Sequence, residues 1–112
     1  METKKGIPQE IITTIHDWAE SQSLVKRVTA FGSRVAGTER SDSDLDLAFE
    51  IYKQEDEDKF TTWICEKSKL LNSLQELIEI DLQIELLDEE VSTPNISKAV
   101  KKNSLVIYER NR

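Results

Sequence analysis

With 112 residues and 38% hydrophobic content, the chain is expected to form one domain over residues 1–112 and bury about two-thirds of its unfolded surface. A formal charge of −7 argues against general nucleic-acid binding, because phosphate backbones reward a basic footprint, yet leaves room for a small phosphorylated ligand. No apolar run approaches the roughly 18 residues of a membrane span, nothing resembles a signal peptide, and Cys65 stands alone, so a reducing cytoplasm is expected.

Pro8 reads as a first-turn residue of a helix over 8–22, with Ile11, Ile12, Ile15 and Trp18 as its apolar stripe. "LVKRVTAFG" predicts a short strand ending at Gly32, followed by a helical turn that Gly37 closes. "SDLDLAFEI" alternates, with Leu45, Leu47, Phe49 and Ile51 on one face and Asp44, Asp46, Ala48 and Glu50 on the other. The acidic run 55–58 opens a helix favourably for its dipole, and Phe60, Trp63, Ile64, Lys67, Leu71 and Leu74 follow at helical spacing. "LIEIDLQIELL" alternates over 77–87, turning Ile78, Ile80, Leu82, Ile84 and Leu86 inward and Glu79, Asp81, Gln83 and Glu85 outward. Thr93 and Pro94 start a last helix that buries Ile96, Ala99 and Val100 and ends after Lys101, Lys102 and Asn103. "SLVIYER" is a final strand.

This order predicts an α/β (α+β) fold: a single mixed sheet of about four strands with helices on one face. The other face, carrying Asp44, Asp46 and Asp81, is expected to be open and acidic.

Asp44 and Asp46, two apart on a strand, send both carboxylates from one face with Cα atoms about 6.5 Å apart. Hard oxygen donors at that spacing suit Mg²⁺, which binds through one or two carboxylates plus substrate phosphates. Asp81, placed by the alternation at the middle of another strand, offers a third carboxylate. Three carboxylates can hold one metal ion or two at roughly 3.5–4 Å, an arrangement suited to in-line phosphoryl or nucleotidyl transfer. Gly32 allows the backbone to approach a phosphate, and Ser33 offers a hydroxyl at the start of the turn. Arg34 and Arg40 stand close enough in sequence to neutralise phosphate oxygens or simply to balance the aspartates. A phosphate cradle beside a metal pair reads as a nucleoside triphosphate site.

An EF-hand is the rival for Asp42-x-Asp44-x-Asp46, but that loop needs Gly next and Glu at its twelfth position, where Leu47 and Lys53 stand. His16 lacks a ligand neighbour at metal spacing and is expected at or near the surface. Trp18, Trp63 and Cys65 are read as packing residues.

Gly32-Ser33, ten residues and Asp44-Leu45-Asp46 together resemble the signature of the DNA-polymerase-β-like nucleotidyltransferase superfamily. The fuller string "GSRVAGTERSDSDLDL" is similar to that of its minimal, MNT-type bacterial members, and the likeness extends over nearly the whole chain. The resemblance implies transfer of a nucleoside monophosphate, most often AMP from ATP, to a hydroxyl. It implies metal binding at Asp44 and Asp46, a second metal and the acceptor's base at Asp81, and phosphate contacts at Gly32 and Ser33. It also implies a helical partner of the HEPN or substrate-binding type in a heteromer, and for some relatives an adenylylating antitoxin role. The bareness of the acidic face and the lack of residues for a second domain point independently to a partner. The alternative is a module of the same fold that acts by docking alone.

Overall fold

The computed structural model describes residues 7–37, 44–52, 58–87 and 94–110. Helix α1 (Gln9–Glu20) follows Pro8, whose φ of −59° suits a helix start and whose carbonyl accepts from the Ile11 and Ile12 amides at 3.0 and 3.2 Å. Strand β1 (Val25–Phe31) leads into the single turn α2 (Ser33–Ala36), and β2 (Leu45–Ile51) into α3 (Lys59–Gln75). Strand β3 (Leu82–Leu86), helix α4 (Pro94–Lys102) and β4 (Ser104–Glu109) complete the order expected from the sequence. The four strands form one mixed sheet in the order β3-β2-β1-β4, with β1 antiparallel to β2 and β4, and β2 parallel to β3.

α1 and α3 form the expected helical layer. Phe49 of β2 meets Trp18 of α1 edge-on, with ring centroids 5.9 Å apart, and Trp63 of α3 at 5.7 Å. Leu45, Leu47, Phe49 and Ile51 are all buried beneath these helices, as their alternation predicts. Trp18 and Trp63 are core residues, and the Trp18 indole N–H donates to the Ser73 hydroxyl at 3.0 Å.

The connections β2-α3-β3 and β3-α4-β4 both join parallel strands but cross the sheet in opposite directions. Parallel crossovers are right-handed, which puts α3 and α4 on opposite faces. α4 contacts β1 and β4, and Thr29, Phe31 and Ala48 are buried on that side. The acidic face is therefore narrower than the alternation implies: it is closed along β1 and at Ala48 of β2, while Asp81 and Gln83 lie exposed on the β3 side.

Three local expectations change. β3 begins at Leu82, not near 77, because its one neighbour, β2, begins at Leu45; Leu77 to Asp81 instead wrap the end of α3. Ile78 is nevertheless buried and Ile80 half-buried, which is why their pattern mimics a strand. The buried residues of α3 are Thr62, Trp63, Leu70 and Leu74, leaving Phe60 and Ile64 at 49% and 62% exposure. Anchoring of Trp63 on Phe49 and Ser73 on Trp18 sets this rotation, and it turns Cys65 outward, contrary to its reading as a packing residue. His16 is exposed, as expected. The acidic run 55–57 and Thr93 lie outside the described residues.

Two side chains fix helix ends. Asp58 caps α3 by accepting from the Thr61 amide at 2.7 Å. Asp58→Ala is expected to cost about 1 kcal/mol, read as a lower urea midpoint with an unchanged m-value. At the other side of the sheet, the Arg110 guanidinium donates to the carbonyls of Ala19, Glu20, Gln22 and Val25 at 3.0–3.4 Å, tying the end of β4 to the end of α1.

Candidate active site

Strand direction gathers the singled-out residues at one end of the sheet. β1 runs toward that end and stops at Phe31, while β2, β3 and β4 begin there. Phe31 pairs with Asp46 on one side and Ser104 on the other, and Asp46 pairs with Gln83. Gln83, Asp46, Phe31 and Ser104 thus form one row across the sheet.

Gly32 follows with φ 87° and ψ −158°, a backbone region open essentially to glycine. A Cβ built on it would run into the Asp46 carboxylate, whose Cγ lies 3.3 Å from that position. The Asp46 side chain therefore rests against the backbone of the turn. The Gly32 carbonyl accepts from Val35 and Ala36 at 3.1 and 3.0 Å, which opens α2 at Ser33. Gly37, left-handed at φ 81°, closes it by donating to the Ser33 carbonyl.

Asp44 immediately precedes β2, and its Oδ2 accepts from Gln83 Nε2 at 3.3 Å. Asp81 immediately precedes β3; its carbonyl accepts from the Leu45 amide at 2.9 Å, which sets it beside Asp44. The mid-strand position expected for Asp81 is thus replaced by one at the mouth of the sheet. Burial, helped by the charges of Asp44 and then Glu85, raises the Asp46 carboxyl above its ordinary value. Among the described residues no lysine or arginine forms an ion pair with Asp44, Asp46, Asp81 or Glu85. Glu50, farther along the same face, has Arg27 at 3.1 Å.

The structure therefore brings Gly32, Ser33, Asp44, Asp46 and Asp81 to one end of the sheet and places Arg34 half-buried on α2. Arg40 lies outside the described residues. The carboxylate oxygens of Asp44, Asp46 and Asp81 do not all come within 4.8 Å of one another; among the described residues such closeness of ligand atoms holds for a His16 ring nitrogen and the carboxylates of Asp17 and Glu20, all exposed on α1. Gln83 and Glu85 were visible as outward residues of β3, but their proximity to Asp44 and Asp46 follows only from the parallel pairing of β3 with β2. Should Asp44 bind a divalent cation, as its sequence context leads one to expect, Gln83→Ala is expected to weaken Mn²⁺ binding about tenfold in calorimetric titration, by releasing the Asp44 carboxylate.

The sheet order β3-β2-β1-β4, with a glycine turn resting against Asp46, is an α+β frame that gathers carboxylates at one end. The chain belongs to the family described as Polymerase beta, Nucleotidyltransferase, which it matches over residues 13–112. No curated protein matches it. Solved structures share the fold at low identity. A toxin-antitoxin structure with AMP-PNP is 17% identical with a TM-score of 0.64, covering 89% of this chain and 74% of that one. The toxin-antitoxin MntA-HepT is 14% identical with a TM-score of 0.60, covering 92% and 74%. A protein assigned as a nucleotidyltransferase from Sulfolobus solfataricus is 19% identical with a TM-score of 0.55, covering 90% and 79%.

Proposed function

We propose that this nucleotidyltransferase moves AMP from ATP to a hydroxyl of a protein or small-molecule acceptor, with Mg²⁺ as its metal. The observation that carries the reading is the Asp46 carboxylate, held against the Gly32 backbone among Asp44 and Glu85 with no cation paired to it among the described residues. An all-oxygen, like-charged donor set of this kind fits a hard divalent cation.

Asp44 and Asp46 would hold one or two Mg²⁺ ions, with Asp81 contributing to the second. Bound there, the metal supplies neutralisation of the triphosphate and polarisation at the α-phosphorus. Ser33 and the turn at Gly32 would receive the β- and γ-phosphates, with Arg34 and Arg40 as candidate phosphate partners. Asp81, exposed at the mouth of the sheet, accepts the proton of the acceptor hydroxyl. The acceptor oxygen bonds to the α-phosphorus, the bond from that phosphorus to the α,β-bridging oxygen breaks, and pyrophosphate leaves with the electron pair.

Two similar structures are toxin-antitoxin complexes, which supports a partner protein. In the function proposed, that partner is a helical one, of the HEPN or substrate-binding type, serving as acceptor and as cover for the open part of the sheet. The test is incubation with Mg²⁺ and ATP labelled at the α- or γ-phosphate, with the helical partner present. Label from the α-position is expected on the acceptor, and label from the γ-position in pyrophosphate. Absence of acceptor label while the partner is still neutralised would replace this reading with docking alone, the function of a non-catalytic antitoxin.

A further inference from the structure

Asp81 lies in a stretch that leaves α3 and enters β3, and its neighbours on both sides are fixed by one side chain. Gln75, the last residue of α3 and half-buried, donates from Nε2 to the carbonyls of Ile78 at 3.1 Å and Ile80 at 2.8 Å. Its Oε1 accepts from the Leu82 amide at 3.0 Å. The residues immediately before and after Asp81 are therefore both bonded to the same amide group. The Asp81 carbonyl in turn accepts from Leu45, next to Asp44, at 2.9 Å. An amide is the one terminal group that serves this purpose at that length, since it presents donor and acceptor from a single plane.

We propose that Gln75 is the positioning residue for Asp81, holding that carboxylate at the mouth of the sheet beside Asp44. The consequence for turnover rests on the role proposed above for Asp81; the positional claim does not. Gln75 touches no substrate in this scheme and acts only through the backbone on either side of Asp81.

Gln75→Met keeps the length and packing of the side chain while deleting its three hydrogen bonds, and Gln75→Ala deletes both packing and bonds. Amide hydrogen exchange in the full chain reads the effect directly. Exchange at Leu82, whose bond is lost, and at Leu45, whose acceptor is the Asp81 carbonyl, is expected to quicken in Gln75→Met, while Val28 and Phe49 keep their protection. Faster exchange at Leu82 alone would show that Gln75 caps β3 without fixing Asp81, and would overturn the proposal. Loss of protection throughout the sheet would overturn it too, by making Gln75 a general stabiliser. In the activity assay, kcat is expected to fall about 10–100-fold with the KM for ATP unchanged, because Gly32, Ser33, Asp44 and Asp46 are untouched. In an Asp81→Asn background the same substitution is expected to have no further effect. Full turnover by Asp81→Asn would refute the role given to Asp81, while the exchange experiment would still decide whether Gln75 fixes its position.

Discussion

Asp46→Asn is expected to abolish nucleotidyl transfer, lowering kcat/KM by at least about 10³-fold, and at the same time to raise the melting temperature of the metal-free protein. On the role proposed for Asp46, the first effect follows from losing a charged metal ligand, since metal-ion catalysis contributes several kcal/mol and each 1.36 kcal/mol is tenfold in rate. The second follows from the environment that makes the site useful. Burial, Asp44 and Glu85 all disfavour the Asp46 anion, so its carboxyl is raised above 3.8 in the folded chain. Between the unfolded value and the raised folded value the native state binds more protons, so stability falls as pH rises through that window and stays reduced above it. Asparagine removes the penalty. Thermal melts of metal-free wild type and variant should therefore differ at neutral pH and converge as pH falls below the ordinary aspartate range. Added Mg²⁺ should raise the wild-type melting temperature and leave that of the variant nearly unchanged. A variant that melts lower than wild type at pH 7 would contradict this account of the site's electrostatics; retained transfer would contradict the metal role.

Gly32→Ala is expected to damage both the fold and the chemistry. Its backbone conformation costs a non-glycine residue about 1–3 kcal/mol, and the new methyl would displace the Asp46 carboxylate. A misplacement of about 1 Å in a reacting constellation costs on the order of 10²-fold in rate, so the loss of activity should exceed what instability explains. Gly37→Ala is the control. Gly37 also has a left-handed backbone, at φ 81°, but among the described residues nothing lies within 4 Å of a Cβ built there. That change should cost about 1–2 kcal/mol while leaving kcat and KM of the folded fraction unchanged. Equal kinetic effects from the two glycines would show that the contact with Asp46 is not what Gly32 provides.

The element order and β2 were legible in the sequence because local pattern and tertiary placement agree there. Leu45, Leu47, Phe49 and Ile51 alternate as a half-buried strand must, and the Gly-Ser turn lies at the end of the neighbouring strand. What escaped depends on which element packs against which. Phe60 and Ile64 are apolar and correctly spaced for a buried stripe, yet the anchoring of Trp63 and Ser73 rotates them outward. Ile78 and Ile80 alternate as strand residues do, but strand pairing begins only where β2 offers a partner. The same dependence hid Gln83 and Glu85, whose nearness to Asp44 and Asp46 is a matter of register between strands far apart in sequence. It also hid the burial of Thr29 and Phe31, on the side of β1 that the handedness of a crossover gives to α4.

The bonds from Arg110 to the carbonyls at the end of α1 bear on the order in which the molecule is completed during synthesis. Every residue of the candidate site from Gly32 to Asp81 leaves the ribosome before β4 does, yet one edge of β1 stays unpaired until Ser104–Glu109 arrive. Until then Val25–Phe31 is a strand edge free to recruit a foreign strand. When β4 pairs with β1, Arg110 follows at once and ties the end of β4 to the end of α1, so protection of that edge of β1 and anchoring of the first helix arrive together.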